Sequence, residues 1–587
     1  MWPESLNKLL YSSKLSVYFL LRIASLLTAF VTLGLTVARF GFYLEDDLVN
    51  LLNAGFDLAY IAYLINYLLR LLYSFRRANF LYRTSLEIFF LLFVGLSYLL
   101  EDFYAFSSEI AFYKYCIAPC LIFLSIYELV KISTRINLVA FKPTTMFLLS
   151  FLLLIFVGTA LLMLPTASYG KKSMPFIDAF FTATSAGCVT GLSVVDISSY
   201  FTFKGQLIIL VLFQLGGLGI ISFATFFSTF FTNAIGIRHQ TIVQDIYSTE
   251  SLISARGLFK TIIFITLAIE LLFTVFVFFS WTPDVYFTSV WQKFYYSLFH
   301  AVAAFCNAGF SLYPDGIYEP VLRTAYLLHI VLAFAVILGG LGFPVLDDLF
   351  NIRKLRDRLK YPWKDWHLST KVALYTSLAL LIFGTLSFYL LERENVLQDM
   401  NFMEKIVTSF FQSVVTRSAG FQSVDLGRIT DATVIIMVFL MFIGASPAST
   451  GGGIKTSTFL IIFATAIATI TEKGKVEIGR RTITQDIIFR AFSVFAFAVA
   501  FNFLSLFVLI LAEPGKMFID LLFEQVSAFG TVGLSKGITS SLSAAGKIVI
   551  AVSMFVGRVG ILTLAIAISK RASAKSYRYP NAHLMVG

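Results

Sequence analysis

Apolar residues run along this chain in long blocks separated by short polar breaks, and nowhere alternate for long at period two. Such blocks predict helices rather than half-buried strands. Four come first, at roughly 15–38, 48–74, 86–100 and 110–130. From Pro143 they fall into triplets of long, short and long block: 145–164, 176–187, 206–231; then 259–280, 291–305, 325–346; then 372–391, 402–416 and an interrupted 432–470; then 491–511, 516–529, 548–569. The middle blocks are too short to cross ~30 Å of hydrocarbon as helices. They predict half-helices that enter and return, which a membrane tolerates where backbone lines a wet cavity.

Each middle block ends in the same way. Val189-Thr190-Gly191-Leu192, Asn307-Ala308-Gly309-Phe310, Ser418-Ala419-Gly420-Phe421 and Thr531-Val532-Gly533-Leu534 each place a Gly before a bulky apolar residue. The Gly-to-Gly spacings are 118, 111 and 113, and Phe181, Phe299, Phe410 and Phe523 each stand ten residues before the Gly. That register predicts a fourfold internal repeat. Glycine tolerates positive φ, so each loop can turn its carbonyls toward a ligand. Four such loops about one axis would make a ring of backbone oxygens able to replace an ion's water shell. The candidate filter is therefore Val189, Thr190, Gly191, Cys306, Asn307, Ala308, Gly309, Ser418, Ala419, Gly420, Thr531, Val532 and Gly533.

Composition turns this pattern into a class. With 58% hydrophobic and 13% charged residues in 587, the chain reads as an all-α polytopic membrane protein. A net charge of +11 could point to nucleic acid, but the basic residues lie in short loops between apolar blocks. That is the positive-inside pattern, so no nucleic-acid partner is expected. Arg70 at the end of the second block and Arg76, Arg77 and Arg83 beyond it make a basic connection, seven basic residues fall in 351–371, and Lys473, Lys475, Arg480, Arg481 and Arg490 follow in 471–490. These loops, the N-terminus and the basic tail are expected in the cytoplasm, with the Gly loops facing outward. The four Cys residues lack metal-site spacing and are expected as free thiols.

Two interruptions carry further chemistry. Gly444-Ala445-Ser446-Pro447-Ala448-Ser449-Thr450-Gly451-Gly452-Gly453-Ile454-Lys455 breaks the third repeat's last block at membrane depth. Irregular backbone there must be buried or line a cavity, so Gly444, Ser446, Pro447, Gly451, Gly452, Gly453 and Lys455 are candidate gate residues. Arg558 is the sole charge in Ile548–Ser569. A mid-membrane Arg must face protein or water; it predicts either an electrostatic barrier to cations or a structural group paired with carbonyls. Gly216-Gly217-Leu218-Gly219 and Gly339-Gly340-Leu341-Gly342 are expected to serve close helix packing. Gly533-Leu534-Ser535-Lys536-Gly537 matches a hydrolase nucleophile motif, but no Asp or Glu follows residue 537.

Taken together, the four single-Gly loops, the G-G-L-G segments, the Gly/Ser/Pro interruption and Gly557-Arg558-Val559-Gly560 resemble the Trk/Ktr/HKT superfamily of potassium transporters, over about 143–587. The resemblance implies a pseudo-fourfold arrangement of four helix–pore-loop–helix repeats, with K+ as transported ion held by filter carbonyls and no organic cofactor. It also implies a homodimer in the lipid bilayer of the inner membrane, a gate loop at 444–456, the Arg558 barrier, and a cytoplasmic nucleotide-binding regulatory subunit of the KtrA/TrkA kind. The expected organisation is an extension at 1–142, repeats at 143–240, 241–350, 351–480 and 481–587, the last including the tail. The extension, about four helices of unassigned role, exceeds the family pattern. Gly191 at the first filter position favours potassium over the alternative, a sodium-preferring or Na+/H+-coupled transporter. A membrane-embedded transferase would need paired acids or His in or near the membrane, where the closing blocks offer Lys455 and Arg558 instead.

Overall fold

A computed structural model describes residues 4–74, 85–99, 117–133, 143–170, 172–219, 255–361, 363 and 365–568. The start of the block 110–130, the end of 206–231, Arg76, Arg77, Arg83 and the basic tail lie outside the described residues. The described chain is helical apart from loops and a two-stranded hairpin, Glu477–Ile478 with Arg481–Thr482. Among the described residues, five helices are long and apolar enough to cross a membrane, including Lys260–Ser280, Leu368–Glu392 and Gln485–Ala512. Their outer faces expose large apolar side chains such as Phe264, Phe279 and Phe503, as lipid contact requires.

Each repeat has a first helix (Pro143–Leu162, Ala255–Ser280, Leu368–Glu392, Gln485–Ala512) and a short pore helix (Phe176–Gly187, Val290–Cys306, Phe402–Ser418, Phe518–Gly530). A closing helix follows (Phe203–Gly217, Tyr326–Leu341, Asp431–Phe442, Ala544–Val559). Three closing helices begin on Thr202, Thr430 and Ser543, whose hydroxyls accept a backbone N–H of the first turn and satisfy an orphan donor. Each closing helix packs against the pore helix of the next repeat, and the fourth packs back on Phe176–Gly187. The cycle is therefore closed, with Lys547 and Asp178 paired at 2.6 Å across the seam.

The closing helices differ from the sequence expectation. Continuous helices over 325–346 and 548–569 are replaced by breaks at Gly342 (φ +90°) and Gly560 (φ +83°), and the first closing helix likewise reaches a positive-φ glycine, Gly219 (φ +73°). Tyr326–Leu341 and Phe343–Phe350 meet at 106°. The apolar pattern runs on across these glycines, so hydropathy alone does not mark the turn. Consequently Arg558 sits in the last turn of Ala544–Val559, not mid-helix.

The four N-terminal helices, Glu4–Gly41, Asp46–Ser74, Ser85–Leu99 and Ala118–Ser133, form their own cluster around Phe56, Leu91, Leu121 and Leu124. Arg70, expected in a cytoplasmic loop, is instead buried within Asp46–Ser74 and pairs with Glu128 at 2.8 Å. This cluster meets the repeats at one corner: the Phe40 carbonyl accepts from Thr166 Oγ1 and Lys204 Nζ, and Gly41 packs on Leu164.

Candidate functional site

The four motif glycines lie next to one another in a closed ring. All have positive φ, +97° at Gly191, +67° at Gly309, +63° at Gly420 and +91° at Gly533. A Cβ on Gly191 would fall within 3.0 Å of the Ala308 carbonyl oxygen, one on Gly309 would meet that of Ala419, one on Gly420 that of Val532, and one on Gly533 that of Thr190. Each glycine is thus pressed against the peptide preceding the next glycine, in chain order, and the fourth returns to the first. Conformation and space both demand Gly at these positions.

Pore helices hold this ring by their ends. Thr190 N–H donates to the Ser185 carbonyl, Ala308 to Ala303 and Val532 to Ser527, at 2.7–2.9 Å. Val189, Asn307 and Thr531 make the turn with φ of +58°, +61° and +49°. The third repeat departs: its helix runs on to Ser418, no residue before the glycine is left-handed, and Val415 O accepts from both Ala419 and Gly420. The fully buried aromatic is accordingly Phe411, whereas Phe410 is only partly buried. The ten-residue Phe offset holds as a buried anchor in the other three repeats and shifts by one in this one.

On one side of the ring lies an open vestibule of about 360 Å³, lined by the four glycines and by Asp196, Asp315, Asp425 and Lys536. Lys536 is paired with Asp520 at 2.7 Å and Asp425 with Arg428 at 3.1 Å, so Asp196 and Asp315 are the lining carboxylates without an ion pair among the described residues. The Asp196 carboxylate also accepts from the Ser198 hydroxyl at 2.8 Å.

On the other side sits the interrupted segment of the third repeat. Ser446 N–H donates to Gly340 O, Thr450 N–H to Gly339 O, and Phe343 N–H to Ala448 O. Those bonds knit it to the closing helix of repeat two; Gly342 packs on the Pro447 carbonyl. Gly452 N–H donates to Thr531 Oγ1 at 2.8 Å, tying the segment to repeat four. A Cβ on Gly451 would strike Ala445 and Ser418, and one on Gly444 the Gly452 carbonyl. Lys455 turns back on its own segment, with Nζ donating to Gly451 O at 2.7 Å.

Arg558 completes the clamp. Its Nη1 donates to the Thr450 carbonyl of the segment and its Nη2 to the Gly216 carbonyl of repeat one. The carbonyl-paired arrangement is therefore present, and it places a buried guanidinium beside the segment. In the G-x-x-G frame, Arg558 occupies the place held by Gly217 and Gly340 in the first two repeats. The leading glycines Gly216, Gly339 and Gly557 pack on the carbonyls of Gly187, Phe305 and Phe529, each four residues before a ring glycine. Close helix packing is thus what the G-G-L-G segments do.

Among the buried groups that escaped the sequence reading, two lie close to the ring or its segment. Arg417, in the last turn of the third pore helix, reaches Ser377 and the Gly444 carbonyl at 3.4 Å. Its position three residues before Gly420 is held by uncharged residues in the other repeats, the one signal that could have found it. Glu270 is buried within Ala255–Ser280 and accepts from Gln214 Nε2 at 3.0 Å. The Cys306 thiol turns to this pair, 3.6 Å from Gln214 and 3.7 Å from Glu270, so any share it has in the ring is through backbone. Asn307 and Ser418 hydrogen-bond at 2.9 Å. Cys120, Cys188 and Cys306 are free and buried, and Cys116 lies outside the described residues. No group of His, Cys, Asp or Glu suited to a metal ion occurs among the described residues.

Comparison with known proteins adds an independent line. A protein-family profile named TrkH, described as a cation transport protein, matches residues 122–579. The Ktr system potassium uptake protein B of Bacillus subtilis is 37% identical over 454 residues, 77% of this chain and 98% of its own length. The potassium/sodium uptake protein NtpJ of Enterococcus hirae is 34% identical over 457 residues, 76% of this chain and 97% of its own. Among solved structures, the potassium transporter TrkH of Vibrio parahaemolyticus superposes with a TM-score of 0.60 at 17% identity, covering 83% of this chain and 98% of that one, a likeness of fold.

Proposed function

From a chain that belongs to the TrkH family of cation transport proteins, we infer a potassium uptake pathway whose selectivity filter is the ring of Gly191, Gly309, Gly420 and Gly533. The closed cycle of four positive-φ glycines carries this reading. Carbonyls of the residues around each glycine take over the hydration shell of a dehydrating cation. The vestibule carboxylates of Asp196 and Asp315 raise the local cation concentration at its mouth.

Conduction is gated by the segment 444–456. It lies directly against the ring side chains Asn307, Ser418 and Thr531, and Arg558 fastens it to repeat one. Arg558 then serves twice, as a latch on the segment and as a positive charge in the cation path. The vestibule faces outward and the basic loops face the cytoplasm. A cytoplasmic nucleotide-binding subunit docks on this basic inner face at the exposed hairpin around Arg480 and Arg481, and the transporter acts as a homodimer in the inner membrane.

The test is rubidium uptake by cells lacking their own potassium transport, with and without a co-expressed nucleotide-binding subunit. Uptake that needs this chain and falls on Gly420→Ala supports the pathway; no uptake from a correctly inserted chain under either condition overturns it. Sodium competition in the same assay separates a potassium-selective pathway from one shared with sodium.

A further inference from the structure

The sharp bend at Gly342 sends the chain out of the helix bundle into two short helices, Phe343–Phe350 and Ile352–Lys360. The second has no buried residue. Ile352, Leu355 and Leu359 fall on one helical face and are 73, 48 and 79% exposed, and Trp363 just beyond it is 78% exposed. An isolated apolar side chain on a surface needs no explanation, but a stripe at helical spacing does. Arg353, Arg356 and Lys360 flank this stripe, are exposed, and make no ion pair among the described residues. Lys354 and Arg358 point the other way, to Asp347 and Asp348.

Three faces on one nine-residue helix have separate uses. The anchored face is fixed by Asp348, which is buried and accepts from Arg358 Nη2, from Thr370 Oγ1 at 2.8 Å and from the His367 N–H at 3.2 Å. The exposed apolar face with its basic flank and terminal Trp is the pattern of a helix lying in a membrane–water interface. Cations without an ion pair beside an apolar stripe, of which Lys360 also lies over the Tyr361 ring at 5.5 Å, complement an anionic headgroup layer, and the helix leaves a membrane-embedded element directly.

We propose that Ile352–Lys360 and Trp363 form an anionic-lipid contact on the cytoplasmic surface of the surrounding bilayer, and that lipid charge there tunes the gate segment. The mechanical link is short. Asp348 joins the interfacial helix to Phe343–Phe350, and Phe343 N–H donates to the Ala448 carbonyl of the segment, at 3.2 Å. Gly339 and Gly340 carbonyls, one turn away, hold Thr450 and Ser446 of the same segment. The exposed hairpin at Glu477–Thr482 carries basic charge with no apolar stripe and remains available to a protein partner. The coupling half of the proposal rests on the gate reading; the lipid contact does not.

The experiment uses the full-length chain in proteoliposomes of phosphatidylcholine alone or with phosphatidylglycerol. Contact is read as quenching of Trp363 by brominated phosphatidylglycerol, taken as the difference between the native chain and Trp363→Phe. Coupling is read as rubidium flux. Phosphatidylglycerol is expected to change flux several-fold in the native chain and to have little effect in Arg353→Gln/Arg356→Gln/Lys360→Gln, which also loses the quenching. Asp348→Asn is expected to keep the quenching and lose the flux response. Absence of the Trp363 component, or a triple variant that keeps both responses, overturns the proposal. Quenching without any flux response in the native chain retains the contact and overturns the coupling. A triple variant that keeps its lipid response but no longer binds a nucleotide-binding subunit assigns the face to that protein and overturns the contact.

Discussion

The glycine ring and the segment packed against it lie a few ångströms apart and are built by opposite means. In the ring, four repeats each give one glycine in the same backbone region, each touching the next peptide in the same way. In the segment beneath, a single repeat supplies all the chain, and the others hold it with unlike groups: the Gly339 and Gly340 carbonyls from repeat two, Thr531 Oγ1 and Arg558 from repeat four, and through Arg558 the Gly216 carbonyl of repeat one. Equivalent contributions suit a site that must surround a spherical ion. Unequal ones suit an element that has to move against a fixed frame, because a few side-chain bonds can be lost without dismantling the ring.

The largest effect expected is on the symmetric layer. Positive φ costs a residue with Cβ roughly 1–2 kcal/mol, and here the Cβ also displaces a neighbouring carbonyl. The displaced carbonyl no longer matches its three counterparts, so Gly191→Ser, Gly309→Ser, Gly420→Ser and Gly533→Ser should each lower potassium-over-sodium preference several-fold. The check is the sodium inhibition constant for rubidium uptake. Native discrimination in all four would remove the ring from the filter.

Next is the latch. Arg558→Ala removes both donors that tie the segment to repeat one, together with a buried charge. Rubidium flux without the nucleotide-binding subunit should rise several-fold at equal membrane abundance, while sodium preference stays native. A change in selectivity in place of flux would show that the two layers are not separable.

Shortening the segment within Gly451–Gly453 should also raise basal flux, by less than the Arg558 variant, because the bonds of Ser446 to Gly340 and of Phe343 to Ala448 still hold its first half to repeat two. Unchanged flux in a membrane-inserted variant would leave the segment a packing role only.

The smallest effect is expected at Arg417→Leu. Its bonds to Ser377 and Gly444 are long, at 3.4 Å, yet it steadies both the third pore helix and the start of the segment. It should lower the melting temperature of the purified protein by a few degrees and shift flux and selectivity together but slightly, unlike either preceding class. A large loss of selectivity alone would place it in the filter rather than between the layers.

How far this was readable without coordinates follows the same division. Glycines forced by positive φ and close backbone are a local demand, so the ring was written at four positions with a common frame. Repeat three exposes the limit, since its pore helix ends two residues before the glycine where the others end three or four before it, and the buried aromatic is Phe411, which a fixed offset cannot register. The breaks at Gly342 and Gly560 were hidden because apolar residues continue on both sides. Arg417 and Glu270 acquire their meaning from Ser377, Gly444 and Gln214, partners dozens of residues away whose proximity only the closed packing of the helices creates.

Closure of the ring within one polypeptide has a consequence for heredity. In a channel assembled from four identical chains, a single codon change alters every quadrant of the ring at once. Here each quadrant has its own codons and can drift alone. Drift is already visible: Ser185 and Ser527 hydroxyls brace the N–H groups of Gly191 and Gly533, while the matching places hold Ala303 and Val414. If the ring is the filter proposed above, selection can adjust ion preference by quarters.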